Sequence, residues 1–549
     1  MLDKIKVLYR EIYKNSQTEV LEKIIDFLKN EKRFFIDKNV DKYWYKKAVI
    51  YSLYVDLYAG DFRKLSSKIE YLYDLGVNAI WLLPVLDSPL MDQGFDIKNY
   101  YKIREDLGTN EDFKYFLDKA HEKGIKVIFD IAINHTSSEH EWFQSAKSSK
   151  NSPYRDYYIW NETTEKYKEA RLLFKGMVNS NWEYNEETGD YYFHRFYPFQ
   201  PDLNYKNPEV LFEMLKVLVF WKKMGIDGFR MDAAPFLWKE DGTNCENLPQ
   251  THNILKIFRH SLDYLQEGSI LVAEANLRPK DVVKYFGNGD ECHAGYHFPI
   301  MPKFFLTIAE KDYSHIYEAL KEKNTPDIPD NCSWFTFLRC HDELTLEFVT
   351  EEERKKMNQY YLRESLWTFR EGEGISGRLY ELMNKDIRKV LLSFSMLFST
   401  EGSPIIYYGD EVAMDNDYEF YNMMTEKTGF KDSRFLNRGP MDWDKIEKEL
   451  KDKNSKEYRT FNAVKSMLKI RKENIELFEQ KGEIIPVKDK SLYIVKKKYG
   501  NKMLWAFHNL ADERKNIKLK KEGVDLFKNS KSQELELRPY EYKWIVFEI

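Results

Sequence analysis

From Tyr43 onward, short apolar runs alternate with amphipathic stretches. Ala48 to Val55, Val77 to Val85 and Lys126 to Asn134 are apolar, β-branched or aromatic runs of strand length. Asp227 to Ala233, Ser269 to Asn276, Ser333 to Asp342 and Pro404 to Asp410 continue the series. Helical patterns lie between them, among them Asn110 to Lys123 and Pro208 to Met224. Repeated strand–helix units predict a parallel sheet. So many units over roughly 400 residues predict a closed (β/α)8 barrel of the TIM type, with an open doubly wound sheet as the alternative. No glycine-rich phosphate loop follows the first strand, which counts against a nucleotide fold.

The flanks read differently. Residues 1–42 are charged, with Val20, Leu21, Ile24, Ile25 and Leu28 on one helical face, and predict a small helical extension. The barrel then divides into 43–134 and 206–470 around an insertion at 135–205. That insertion is rich in Trp, Tyr, Phe, Ser and Asn and predicts a loop-rich subdomain over one end. Beyond about Phe478 short strands and turns take over, so 471–549 is expected to be an antiparallel β-sandwich domain.

Composition narrows the function. Charged residues make up 32%, and the net charge of −5 comes without a basic block, so no nucleic-acid partner is expected. No apolar run is long enough for a membrane span, and Met1 to Ser16 has no leader-like core. Cys245, Cys292, Cys332 and Cys340 show no zinc or disulfide spacing, so the expected location is cytoplasmic. Aromatic residues, at 16%, either build core or offer flat faces to sugars.

The chemistry sits at the predicted strand ends. Arg230 and Asp232 are two apart in one strand and share a side. Taken alone they are as well read as a structural ion pair as a charged nucleophile. Asp130, Asn134 and His135 end the third run, Glu274 follows Ile270 to Ala273, and His341 and Asp342 follow Phe335 to Cys340. Barrel enzymes carry their catalytic groups at these ends. Like charges gathered on one rim cost stability unless function requires them. Three carboxylates without a cysteine or histidine cluster suit glycosidic chemistry, one as nucleophile and one as proton donor.

Asp130-Ile131-Ala132-Ile133-Asn134-His135, Gly228-Phe229-Arg230-Met231-Asp232, Ala273-Glu274-Ala275-Asn276 and His341-Asp342-Glu343 resemble the signature regions of the α-amylase family, glycoside hydrolase family 13. The likeness runs from Tyr43 to Trp443. Longer stretches, such as Gln200-Pro201-Asp202-Leu203-Asn204 and Gly242 to Pro249, are similar to the branch that isomerises maltose to trehalose. The resemblance implies Asp232 as nucleophile, Glu274 as general acid/base and Asp342 as transition-state stabiliser. It implies Phe95, Asp96, His135, Arg230, His341 and Arg438 around the reacting glucose, with Arg438 beside Asp96. The implied reaction is intramolecular glucosyl transfer through a covalent glucosyl-enzyme. Hydrolysis of α-glucosides, or transfer from sucrose, is the alternative. The implied partners are small α-glucosides such as maltose and trehalose, with a homo-oligomer left open. No cofactor is required, but Asn134 and Asp202 match ligands of a structural calcium.

Four positions depart from the family pattern. Phe95 replaces a tyrosine, and Cys340 replaces an asparagine. The segment Tyr54 to Phe62 is shorter than usual and, with the helical N-terminus, looks more like the sucrose-using branch. Lys239 stands where an acidic calcium ligand is usual, and its ammonium would repel Ca²⁺ or take its place.

Overall fold

The structure is a computed structural model that describes residues 1–14, 17–35, 41–174 and 177–549. Eight parallel strands close into a barrel. They are β1 (Ile50–Leu53), β2 (Ala79–Leu82), β3 (Lys126–Ala132), β4 (Gly228–Asp232), β5 (Ile270–Ala273), β6 (Ala294–Tyr296), β7 (Ser333–Phe337) and β8 (Ser403–Tyr407). Each pairs with its neighbours in sequence, and β8 pairs with β1. The open-sheet alternative is thereby excluded. Every residue of β1, β2, β4, β5, β7 and β8 is buried, because helices cover the outside and side chains fill the inside.

The strand series read from the sequence lacked one member, β6. It spans three residues, Ala294-Gly295-Tyr296, with no β-branched side chain. Its neighbours define it, since Val272 of β5 pairs with Ala294, and Ala294 pairs with Ser333 of β7.

Two N-terminal helices, α1 (Leu2–Tyr13) and α2 (Thr18–Lys32), pack on the barrel helices α3 (Pro208–Met224) and α4 (Pro249–Leu265). Their apolar faces, including Ile5, Tyr9, Ile24 and Leu28, join the main core. Helix α3 delivers the chain to β4. Asn207 caps its start by accepting from the Glu209 amide, Pro208 presets its first turn, and Gly225 ends it at φ 122°. The chain then enters β4 at Gly228, where a Cβ would lie 2.5 Å from Ile270 Cγ1. Only glycine lets β4 and β5 approach so closely there.

The insertion carries a small antiparallel sheet of Trp160–Asn161, Asp190–Phe193 and Trp182–Asn185. It is pinned to the barrel rim by a bridge between His135 and Asp202. The C-terminal domain is a six-stranded antiparallel sheet of β9 (Glu483–Ile484), β10 (Leu492–Tyr499), β11 (Lys502–Asn509), β12 (Lys515–Asp525), β13 (Ser530–Leu537) and β14 (Tyr542–Glu548). Register breaks in β12 between Lys518 and Gly523. Leu519, within that break, and Leu535 and Leu537 of β13 pack with Ile494, Phe507, Ile545 and Phe547 in a second core. The opposite face, with Tyr493, Val495, Ala506 and Trp544, belongs to the barrel's core.

Candidate active site

All barrel strands run the same way, so their C-terminal ends form one rim. Asp232 ends β4 there, and Arg230, two residues earlier on the same side, lies beneath it. Arg230 Nη1 donates to Asp232 Oδ1 at 2.6 Å and to Asp130 Oδ1 at 2.9 Å, and its Nη2 pairs with Glu274, just past β5. Three carboxyl groups therefore share one guanidinium that is 1% exposed. Trp81 Nε1 donates to the other oxygen of Asp130 at 3.3 Å.

The backbone turns sharply after Asp232. Ala233 has φ 54° and ψ 29°, a left-handed conformation that costs a residue with a Cβ about 1 kcal/mol. The turn points the Ala233 N–H at Glu274 Oε2, 3.3 Å away. No sequence signal marks this position, because alanine is not a residue that favours positive φ.

Burial and the neighbouring Glu274 push the Asp232 carboxyl well above its usual range, against the pull of Arg230. Burial raises Asp130 to about 7. One guanidinium faces three carboxyl groups, so the three compete for a single positive charge.

Asp342 has the opposite environment. Burial would raise its carboxyl, but His341, Arg434 and Arg438 hold it well below the usual range. Arg434 Nη1 donates to Oδ1 at 2.8 Å, Arg438 Nη2 to the same oxygen at 3.2 Å, and His341 Nε2 lies 3.2 Å from Oδ2. Burial lowers the His341 ring to about 3 and the His135 ring to about 4, so both are neutral at physiological pH.

Most of the sequence-selected residues converge on one pocket. Phe95, His135, Arg230, Asp232, Glu274, His341, Asp342 and Arg438 all line it. Phe95 stacks on His341, with ring centres 5.9 Å apart. Asp96 lies apart from that lining. Its oxygens accept from Ser88 Oγ and from the Met91 and Asp92 amides, so it shapes the loop that presents Phe95. Arg438 bonds the His341 carbonyl and Asp342, where the resemblance places it beside Asp96.

Sequence reasoning missed Asp92 and Arg434 and singled out neither Arg171 nor Glu347. Asp92 lines the pocket and accepts from Gln200 Nε2 at 2.9 Å. Arg434 is held by Asp432, two residues away, a spacing that reads as an ordinary local ion pair. At the mouth, Arg171 of the insertion donates to Glu246 at 3.0 Å and lies 3.5 Å from Glu347. Glu246 also accepts from buried Arg195 at 2.6 Å, and Asn276 donates to Glu347 at 3.3 Å. These groups come from the insertion and from the loops after β4, β5 and β7.

The residues matched to calcium ligands do not fit a calcium ion. Lys239 Nζ donates to Asn134 Oδ1 at 2.7 Å and pairs with Asp202 Oδ2 at 2.8 Å. All three side chains are buried, and Lys239 occupies the position between the two oxygens. Burial lowers the Lys239 ammonium, and Asp202 opposes that shift. Cys340, His341 and Asp342 also bring possible ligand atoms within 4.8 Å of one another. There, however, Asp342 is already committed to two arginines.

Comparison with known proteins agrees with this architecture. The catalytic-domain model of the α-amylase family matches residues 11–483, and the chain belongs to that family. The trehalose synthase/amylase of Mycolicibacterium smegmatis is 45% identical over 385 residues, covering 68% of this chain and 64% of the relative. The trehalose synthase of Thermus thermophilus is 46% identical over 388 residues, covering 69% of this chain and 40% of the relative. The chain thus spans less than two thirds of either relative's length. Among solved structures, trehalulose synthase from Pseudomonas mesoacidophila MX-45 superposes with a TM-score of 0.73 at 21% identity, covering 92% of this chain and 99% of that one. At that identity the likeness concerns fold.

Proposed function

We propose that the protein isomerises maltose to trehalose by intramolecular glucosyl transfer. The observation that carries the chemistry is the single Arg230 guanidinium bridging Asp232 and Glu274. It gathers both carboxyls on one cation, the kind of proximity a retaining mechanism uses, in which nucleophile and acid stand roughly 5–5.5 Å apart. Asp232 attacks the anomeric carbon while Glu274, as general acid, gives a proton to the departing oxygen. The bond from Asp232 to glucose forms as the glycosidic bond breaks. Asp342, held charged by its two arginines, binds sugar hydroxyls and steadies the oxocarbenium-like transition state. Phe95 offers the ring a flat face, and neutral His135 and His341 offer hydrogen bonds.

Isomerisation further requires that the released glucose stay, turn and attack the glucosyl-enzyme before water does. The Arg171, Glu246 and Glu347 contacts across the mouth supply that closure. The curated relatives, two of them trehalose synthases by name, point the same way. Incubating the purified protein with maltose and following products by NMR tests the reading. Trehalose should accumulate, and glucose alone would refute it. The second reading is hydrolysis or transfer from sucrose, favoured by Phe95 and Cys340 at positions where the family pattern differs. A panel of starch, sucrose and maltose separates the two.

Lys239 supports a wall that needs no metal, with its ammonium as the cation joining Asn134 to Asp202. No helix among the described residues is long and apolar enough to cross a membrane.

A further inference from the structure

Helix α1 ends at Tyr13, which is 6% exposed and lies far in sequence from the barrel rim. Its hydroxyl donates to the Tyr205 carbonyl at 2.8 Å. The Tyr205 hydroxyl in turn donates to the carbonyl of Ile133 at 2.7 Å, one residue before Asn134. The Tyr13 ring meets Trp238 edge-on, with centres 6.3 Å apart. Trp238 precedes Lys239, whose ammonium joins Asn134 to Asp202. Asp202 accepts from the Arg195 amide at 2.9 Å, and Arg195 pairs with Glu246 at the pocket mouth. One side chain of the N-terminal helices thus touches both segments that build this wall, the end of the insertion and the loop after β4.

We propose that Tyr13 is a positioning residue, and that the N-terminal helices brace the pocket wall through it so that the mouth stays closed during glucosyl transfer. The inference rests on the isomerase reading for its effect on products, but not for its mechanical part. Helix α1 lies along α4, which begins at Pro249, immediately after the mouth loop that carries Glu246. Removing the Tyr13 ring leaves the Tyr205 carbonyl and the Trp238 edge without their partner. The loop from Trp238 to Asn247 then keeps its ion pairs to the insertion, Lys239 with Asp202 and Glu246 with Arg195, but loses the ring of α1 against which its first residue packs. A looser loop opens the mouth more often, and water competes better with the turned glucose for the sugar on Asp232.

The test uses the full chain and three variants. Tyr13→Ala removes ring and hydroxyl. Tyr13→Phe keeps the ring on Trp238 and loses only the hydrogen bond. Ile494→Ala removes core volume in the C-terminal sheet, away from the wall, and controls for general destabilisation. Hydrogen exchange is read for peptides covering 238–248, and the glucose-to-trehalose ratio is read from maltose. Tyr13→Ala should speed exchange in that loop and raise the ratio by roughly threefold or more. Tyr13→Phe should fall between it and the parent, and Ile494→Ala should change neither. Unchanged exchange in Tyr13→Ala overturns the brace. Faster exchange with an unchanged ratio overturns its role in the reaction, as does an equal shift in Ile494→Ala. A parent protein that makes glucose without trehalose refutes the isomerase reading instead, while the exchange data still decide the brace.

Discussion

Asp232 illustrates what a single residue contributes here. It is buried beside Asp130 and Glu274 with one shared arginine, an arrangement that costs folding energy. Asp232→Asn should therefore lower kcat by about 10⁴-fold or more. The same change removes one of three crowded carboxyls, so the midpoint of thermal unfolding should not fall. Kinetics with maltose and calorimetry on one preparation check both outcomes. Lys239 is the converse case, because its charge is buried to hold the wall together. Lys239→Met strands Asp202 and should cost about 3–5 kcal/mol in urea unfolding. A chelator added to the parent protein should change neither its melting temperature nor its activity.

At the level of elements, the mouth contacts link loops that follow different strands. Arg171→Ala removes the one side chain that reaches both Glu246 and Glu347 and leaves Arg195 alone on Glu246, and the glucose share of the products should rise by about threefold. The elements themselves were unequally legible in the sequence. Strands β4 and β5 were plain because each is a short run, buried throughout, with a carboxyl-bearing residue at its end or just past it. Strand β6 was not, because three residues containing a glycine carry no periodicity and are defined only by partners on either side. Carboxylates at strand ends could be gathered into one site from topology alone. Arg171, Glu246 and Glu347 could not, because loops place them and nothing in a charged, loop-rich stretch separates a contact across the mouth from a solvated side chain. The Ala233 turn escaped for another reason, since tertiary packing holds it against the residue's own preference.

For the molecule as a whole, the C-terminal sheet and the barrel share buried polar groups as well as apolar ones. His508 of β11 lies against Ser395 Oγ at 3.0 Å, on a barrel helix, and Trp544 of β14 donates to the same hydroxyl. Burial lowers the His508 ring from its ordinary value near 6.5 to about 4. Between those pH values the unfolded chain takes up a proton that the folded protein refuses, so stability falls as pH falls through that window and levels off below it. The parent should lose up to about 3 kcal/mol relative to His508→Asn between pH 7 and pH 4. The difference between the two should be constant above pH 7. Urea titrations across that range measure it.

The lysine in the pocket wall also changes how that wall comes into being. A bound ion is recruited from the surroundings, so a wall that depends on one has a filled and an empty population set by supply. An ammonium carried on one of the chain's own side chains has a fixed stoichiometry of one and cannot be diluted, exchanged or stripped. The wall is therefore complete as soon as the chain has folded, and its integrity is a matter of folding and not of mineral availability.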